Sequence, residues 1–102
     1  MNLNETHDLT VDWAEARNLI EGSDPKTQTL KLGSEFGELC DNIAKGRFSA
    51  AKDDIGDMVV VLTIIAQQIG STLEECFEVA YNDIKDRKGK MVNGTFIKEG
   101  DI

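Results

Sequence analysis

The sequence is poor in several things that would decide its chemistry at once. Histidine occurs once, as His7, in a polar N-terminal stretch, so no imidazole-based catalysis is assigned. Cysteine occurs twice, as Cys40 and Cys76, each beside apolar neighbours in a helical pattern. Two such thiols do not make a disulfide framework and are expected to be reduced and partly buried. Cations are scarce: 11 Lys and Arg stand against 19 Asp and Glu, a net charge of −8. That balance argues against a nucleic-acid duplex or an anionic membrane as partner, because both require a basic patch. Long apolar runs are missing too. The most apolar one, Met58 to Ala66, is far too short to span a bilayer. No segment has the charged start and apolar run of a signal peptide, so a cytoplasmic location is expected.

What remains is enough for one domain over residues 1–102. Residues 1–9 read as a loosely held leader, and a first helix is expected from Thr10 to Glu21. Leu9, Trp13, Ala16 and Ile20 would form its buried stripe. Gly22-Ser23-Asp24-Pro25 breaks it; Asp24 caps a second helix that has Pro25 at its first position. This helix should run to about Lys45, with Gly46 as its terminator. Its core stripe is Leu32, Phe36, Leu39 and Ile43. A third helix, capped by Ser49, ends before Gly70. Beyond its first turn it is apolar around its whole circumference, so it must be buried on all sides. One small chain can hardly surround it, which points to a homodimer or homotetramer. Thr72-Leu73-Glu74-Glu75 opens a fourth helix as a capping box. Leu73, Phe77, Ala80 and Ile84 supply its core stripe. The peripheral tail, residues 90–102, carries Asn93-Gly94 between two apolar pairs and is read as irregular or as a short hairpin. The fold class is therefore all-α, a four-helix-bundle-type core completed by oligomerisation.

Two acidic segments organise this frame. Glu35-x-x-Glu38 and Asp54-x-x-Asp57 each place two carboxylates on nearly one helix face. Glu35 lies about 60° and Glu38 about 120° from Leu32 around the second helix, so both flank its buried face. Four anions gathered between two helices need a cation, and Mg²⁺ takes oxygen ligands of this kind. A solvated acidic face, or Asp54 and Asp57 favouring a helix N-terminus, is the simpler explanation. A non-catalytic helical dimerisation module therefore stays open.

Fifteen residues, 39 to 53, separate the two acidic motifs. With Lys31-Leu32-Gly33-Ser34-Glu35-Phe36-Gly37-Glu38-Leu39, Asp53-Asp54-Ile55-Gly56-Asp57-Met58 and the stretch Tyr81 to Met91, the chain resembles the MazG-like all-α nucleoside triphosphate pyrophosphohydrolases from about Trp13 to Lys98. It departs from that pattern at Ser34, where the family usually has Glu, and at Asp53 and Asp54, where Glu is common. Lys85 stands one position from the lysine of many relatives. The resemblance implies hydrolysis of a (d)NTP to the (d)NMP and pyrophosphate by water attack on the α-phosphorus. It implies Mg²⁺, with Mn²⁺ as a substitute, on Glu35, Glu38, Asp54 and Asp57, and a proton acceptor in Glu35 or Glu38. Asn82, Lys85, Arg87 and Lys88 would bind the substrate. A dUTP/dCTP-type or phosphoribosyl-ATP-type hydrolase of the same superfamily is the near alternative. Asn18 and Gln28 are candidates for reading the base, while Trp13 is expected in the core.

Overall fold

In the computed structural model, which describes residues 1–101, four helices precede a two-stranded hairpin. They are α1 (Leu3–Ala16), α2 (Pro25–Ala44), α3 (Phe48–Gln68) and α4 (Leu73–Ile84). The hairpin strands are β1 (Gly89–Val92) and β2 (Thr95–Lys98), followed by a 3₁₀ turn over Glu99–Asp101. The all-α reading with a hairpin tail therefore holds.

Local chemistry explains most of the boundaries. Asp24 accepts the backbone N–H of Thr27 at 2.7 Å, and Pro25 occupies the first turn of α2. Helix α2 ends in a Schellman turn. Gly46, at φ 68°, donates to Ile43 O, and Arg47 donates to Asn42 O. The same turn closes α3 at Gly70, φ 78°, with Ser71 N bonded to Ala66 O. Thr72 caps α4 by accepting from Glu75 N, but the Glu75 carboxylate turns to Ser71 Oγ, so only half of the expected capping box forms. In the tail, Asn93 and Gly94 both take positive φ, as a type I′ hairpin turn requires, and Val92 pairs with Thr95.

Helix α1 differs from expectation. It begins at Leu3, not Thr10, because Asn2 caps it: the Asn2 side chain accepts from Glu5 N at 2.8 Å. It also stops at Ala16. Asn18 enters the left-handed region at φ 57°, and residues 17–22 form turns. The expected stripe is not buried: Leu9 and Trp13 are exposed, and Ala14 faces the core instead. Helix α3 begins at Phe48, with Arg47 as an N-cap that makes no side-chain bond, so Ser49 lies inside the helix. The Schellman turn fixes Arg47 and leaves no room for a cap two residues later.

Helix α3 is the centre of the molecule. It supplies six of the eight buried residues among those described: Ala51, Asp54, Val61, Thr63, Ile64 and Ala66. Helix α2 packs along it, α1 lies on another side, and α4 turns away at 98°. Gln68 on α3 ties down the chain after α1 by donating to the carbonyls of Leu19 (3.4 Å) and Ile20 (3.1 Å). Burial of α3 on all sides is not achieved by one chain. Ile55, Val59, Leu62 and Ile69 form one exposed stripe along it. Phe36 and Ile43 on α2, and Phe77 and Ile84 on α4, are also exposed, so the expected core stripes of those helices are only partly covered. The radius of gyration is 16.2 Å. A compact domain of this length has about 13 Å.

Candidate metal and phosphate site

The tight link between α2 and α3 positions the acids. A helical hairpin closed by a three-residue turn runs its two helices antiparallel, so residues farther from the turn on one helix meet residues farther from it on the other. Asn42 Nδ2 donates to Asp54 Oδ2 at 2.6 Å across this hairpin. One helical turn further from the link on each side lie Glu38 and Asp57. Another three residues back on α2 lies Glu35. The four carboxylates named from sequence thus meet on the facing surfaces of α2 and α3.

Their electrostatics are those of neighbouring carboxylates. The Glu38 carboxyl is pushed above its ordinary range, first by the charge on Glu35, with some burial and the charges on Asp54 and Asp57 adding to it. Asp57 is raised as well, chiefly by burial, then by Asp53, Glu35 and Asp54, while Lys31 opposes the shift. Asp54 is 5% exposed, and Asn42 supplies its one side-chain hydrogen bond. Glu35 Oε1 lies 3.5 Å from Lys31 Nζ, but its Oε2 is buried without a partner. Buried carboxylate oxygens with too few donors are expensive unless something positive joins them.

The donor set therefore suits a hard divalent cation: all oxygen, all anionic, and under-satisfied. Among the described residues, no three acidic, imidazole or thiol side chains are already set around one point as a ligand cluster.

Asn82, Lys85, Arg87 and Lys88 do not reach the acids within one chain. All four are exposed. Gln68, at the far end of α3, lies about 21 Å along the axis from Asp54 at 1.5 Å per residue. Helix α4 starts beyond that point and departs at 98°. Arg87, just past the end of α4, instead pairs with Asp83 at 2.9 Å. The two base-reading candidates have structural work. Gln28 is buried, with Nε2 on Ser23 Oγ, and Asn18 forms the turn after α1. Cys40 and Cys76 are free and exposed, not partly buried. His7 is half-buried against Asp8 and lines a 630 Å³ groove between α1 and α4 that contains none of the four acids.

Two contributors at the acids were not singled out in the sequence. Lys31 is one helical turn before Glu35, a spacing that is itself a signal for an ion pair. Asn42 has no such signal; its role depends on the register of the α2–α3 hairpin.

Residues 23–92 match the MazG nucleotide pyrophosphohydrolase domain. The chain belongs to this family. The matched segment holds all four acids, Asn42 and the basic end of α4, and leaves α1 outside. An uncharacterised 18.2 kDa protein from the rep–hol intergenic region of Haemophilus phage HP1 is 52% identical over 65 residues. That alignment covers 62% of this chain and 40% of the phage protein, so the chain spans well under half of that relative's length. No solved structure matches significantly. Among the described residues, no single helix is long and apolar enough to cross a membrane.

Proposed function

We propose that the protein hydrolyses a nucleoside triphosphate between its α- and β-phosphates, releasing the nucleoside monophosphate and pyrophosphate, with Mg²⁺ at Glu35, Glu38, Asp54 and Asp57. The observation that carries this reading is the meeting of four under-compensated carboxylates on the facing surfaces of α2 and α3, Glu35 Oε2 being buried without a donor. When bound, Mg²⁺ offsets the phosphate charge and lowers the pKa of water; Mn²⁺ has the same oxygen preference.

The chain's own groups do the rest. Glu38 is the preferred proton acceptor. Its carboxylate is exposed, so it can reach a water at the site. Glu35, one turn earlier, is the other candidate. Asp54 is held in place by Asn42, which fixes the carboxylate's direction. Lys31 limits the negative charge beside Glu35.

Phosphate binding by Asn82, Lys85, Arg87 and Lys88 requires a second copy of the chain. The open stripe on α3 and the exposed aromatics on α4 support a homodimer or homotetramer in which α4 of one copy approaches the acids of another. We place the protein in the cytoplasm, where exposed Cys40 and Cys76 stay reduced.

The test is a panel of NTPs and dNTPs with Mg²⁺, read for pyrophosphate and for orthophosphate. Pyrophosphate without orthophosphate is expected, and replacing Glu38 by Gln should lower kcat by at least about a hundredfold if it is the base. Folded protein that releases neither product across the panel would leave the helical interaction module as the better reading.

A further inference from the structure

One wall of the acid site is shared with a second feature. Asp57 faces a 350 Å³ groove that runs beside α1, where Leu9 and Trp13 of α1 and Val60 of α3 provide apolar surface. Thr6 and Thr10 border it with hydroxyl oxygens. Residues 6, 9, 10 and 13 recur at helical spacing, so they form one face of α1. That face does not enter the core: Leu9 is 55% and Trp13 44% exposed. The indole is held by Arg17, whose guanidinium carbon lies 4.7 Å from the ring centroid, while Arg17 Nη1 donates to Trp13 O at 3.1 Å. An accessible, oriented ring stands in the same groove as one of the proposed phosphate-site carboxylates.

We propose that this groove takes the nucleobase of the substrate, with the Trp13 ring as its stacking platform. The inference rests on the proposed hydrolysis. A nucleotide whose α-phosphate is held at the acids must send its sugar and base to one side, and the groove opens beside Asp57. Its size is at the small end of ligand pockets, and its mixture of apolar wall and a few polar groups is what such pockets offer. Any base presents a flat π-face, so stacking on Trp13 supplies affinity for all bases, and the groove's edges supply the choice among them. Helix α1, which carries Trp13, lies outside residues 23–92.

Trp13 is the sole tryptophan, so its fluorescence reports the site directly. The protein is titrated in Mg²⁺ with an α,β-methylene nucleoside triphosphate, and separately with inorganic pyrophosphate. Saturable quenching by the nucleotide analogue, over the concentrations at which it inhibits pyrophosphate release, and none by pyrophosphate, is expected. Trp13→Ala should raise KM about tenfold or more with kcat little changed, and Trp13→Phe should recover most of the loss. Unchanged emission at inhibitory analogue concentrations, in protein that does release pyrophosphate, overturns the platform and leaves the hydrolysis standing. Absence of pyrophosphate release from every nucleotide overturns the hydrolysis, and the platform with it. The wild-type titration decides the matter even if Trp13→Ala fails to fold.

Discussion

Asp54→Asn is the sharpest probe of the acid cluster. The Asp54 carboxylate is 5% exposed and accepts one side-chain bond, 2.6 Å from Asn42 Nδ2. A carboxylate can accept about four bonds, so most of its capacity faces other anions or nothing. Asparagine keeps the shape and can still accept from Asn42 through Oδ1, but removes the charge. In chelator, Asp54→Asn should therefore melt no lower than wild type. A gain on the order of 1 kcal/mol would raise Tm by about 4–8 °C in a domain of this size. Asp54→Ala should instead leave the Asn42 amide without its acceptor, at a cost of about 1–3 kcal/mol. Magnesium separates the roles further. A cation at 100 times its Kd stabilises the folded protein by about 2.7 kcal/mol, or about 11–22 °C. Wild type should show such a rise and Asp54→Asn should lose most of it. The assay is thermal unfolding by circular dichroism with EDTA or MgCl₂, at matched protein concentration because assembly also shifts Tm. A full magnesium shift in Asp54→Asn would refute the ligand assignment. Destabilisation of Asp54→Asn in EDTA as large as that of Asp54→Ala would refute the claim that the charge is under-compensated.

Other consequences follow from the same geometry. Glu38 and Asp57 have raised folded-state pKa values, so each destabilises the metal-free fold above its folded pKa, and this penalty is relieved as pH falls toward about 4, the unfolded carboxylate value. The double variant Glu38→Gln, Asp57→Asn should melt higher than wild type in EDTA at neutral pH, and the gap should close by about pH 4; a gap that does not change with pH would contradict the crowding. Asp24 behaves oppositely: its pKa is lowered, mainly by the Thr27 N–H, so its stabilisation is present above the ordinary value and fades as pH falls through the folded one. Asp24→Ala should lower the urea midpoint at neutral pH without changing the m-value, and an unchanged midpoint would contradict the cap. A Cβ on Gly22 would come within 2.3 Å of Asn18 Nδ2, so Gly22→Ala should destabilise by about 1–3 kcal/mol, and a neutral result would mean that the turn after α1 relaxes freely.

Much of this molecule is determined locally. The start of α2 follows from Asp24-Pro25, its end from Gly46, and the tail hairpin from Asn93-Gly94, because each depends on backbone chemistry within a few residues. The acidic motifs are equally legible, since helical spacing alone puts each pair on one face. One local signal was passed over: Asn2 caps and starts α1, where a cap at Thr10 was expected. The stripe itself misled, because Leu9 and Trp13 line a groove beside Asp57 instead of a core. Periodicity reports which residues share a face, not what that face meets. Meeting is a tertiary property. The register of the α2–α3 hairpin decided that Asn42 holds Asp54 and that Glu38 shares its surroundings with Glu35, Asp54 and Asp57. The 98° departure of α4 decided that one chain keeps its basic helix end away from those acids. Local sequence set the helices and their charges; only packing decided which charges must share a space.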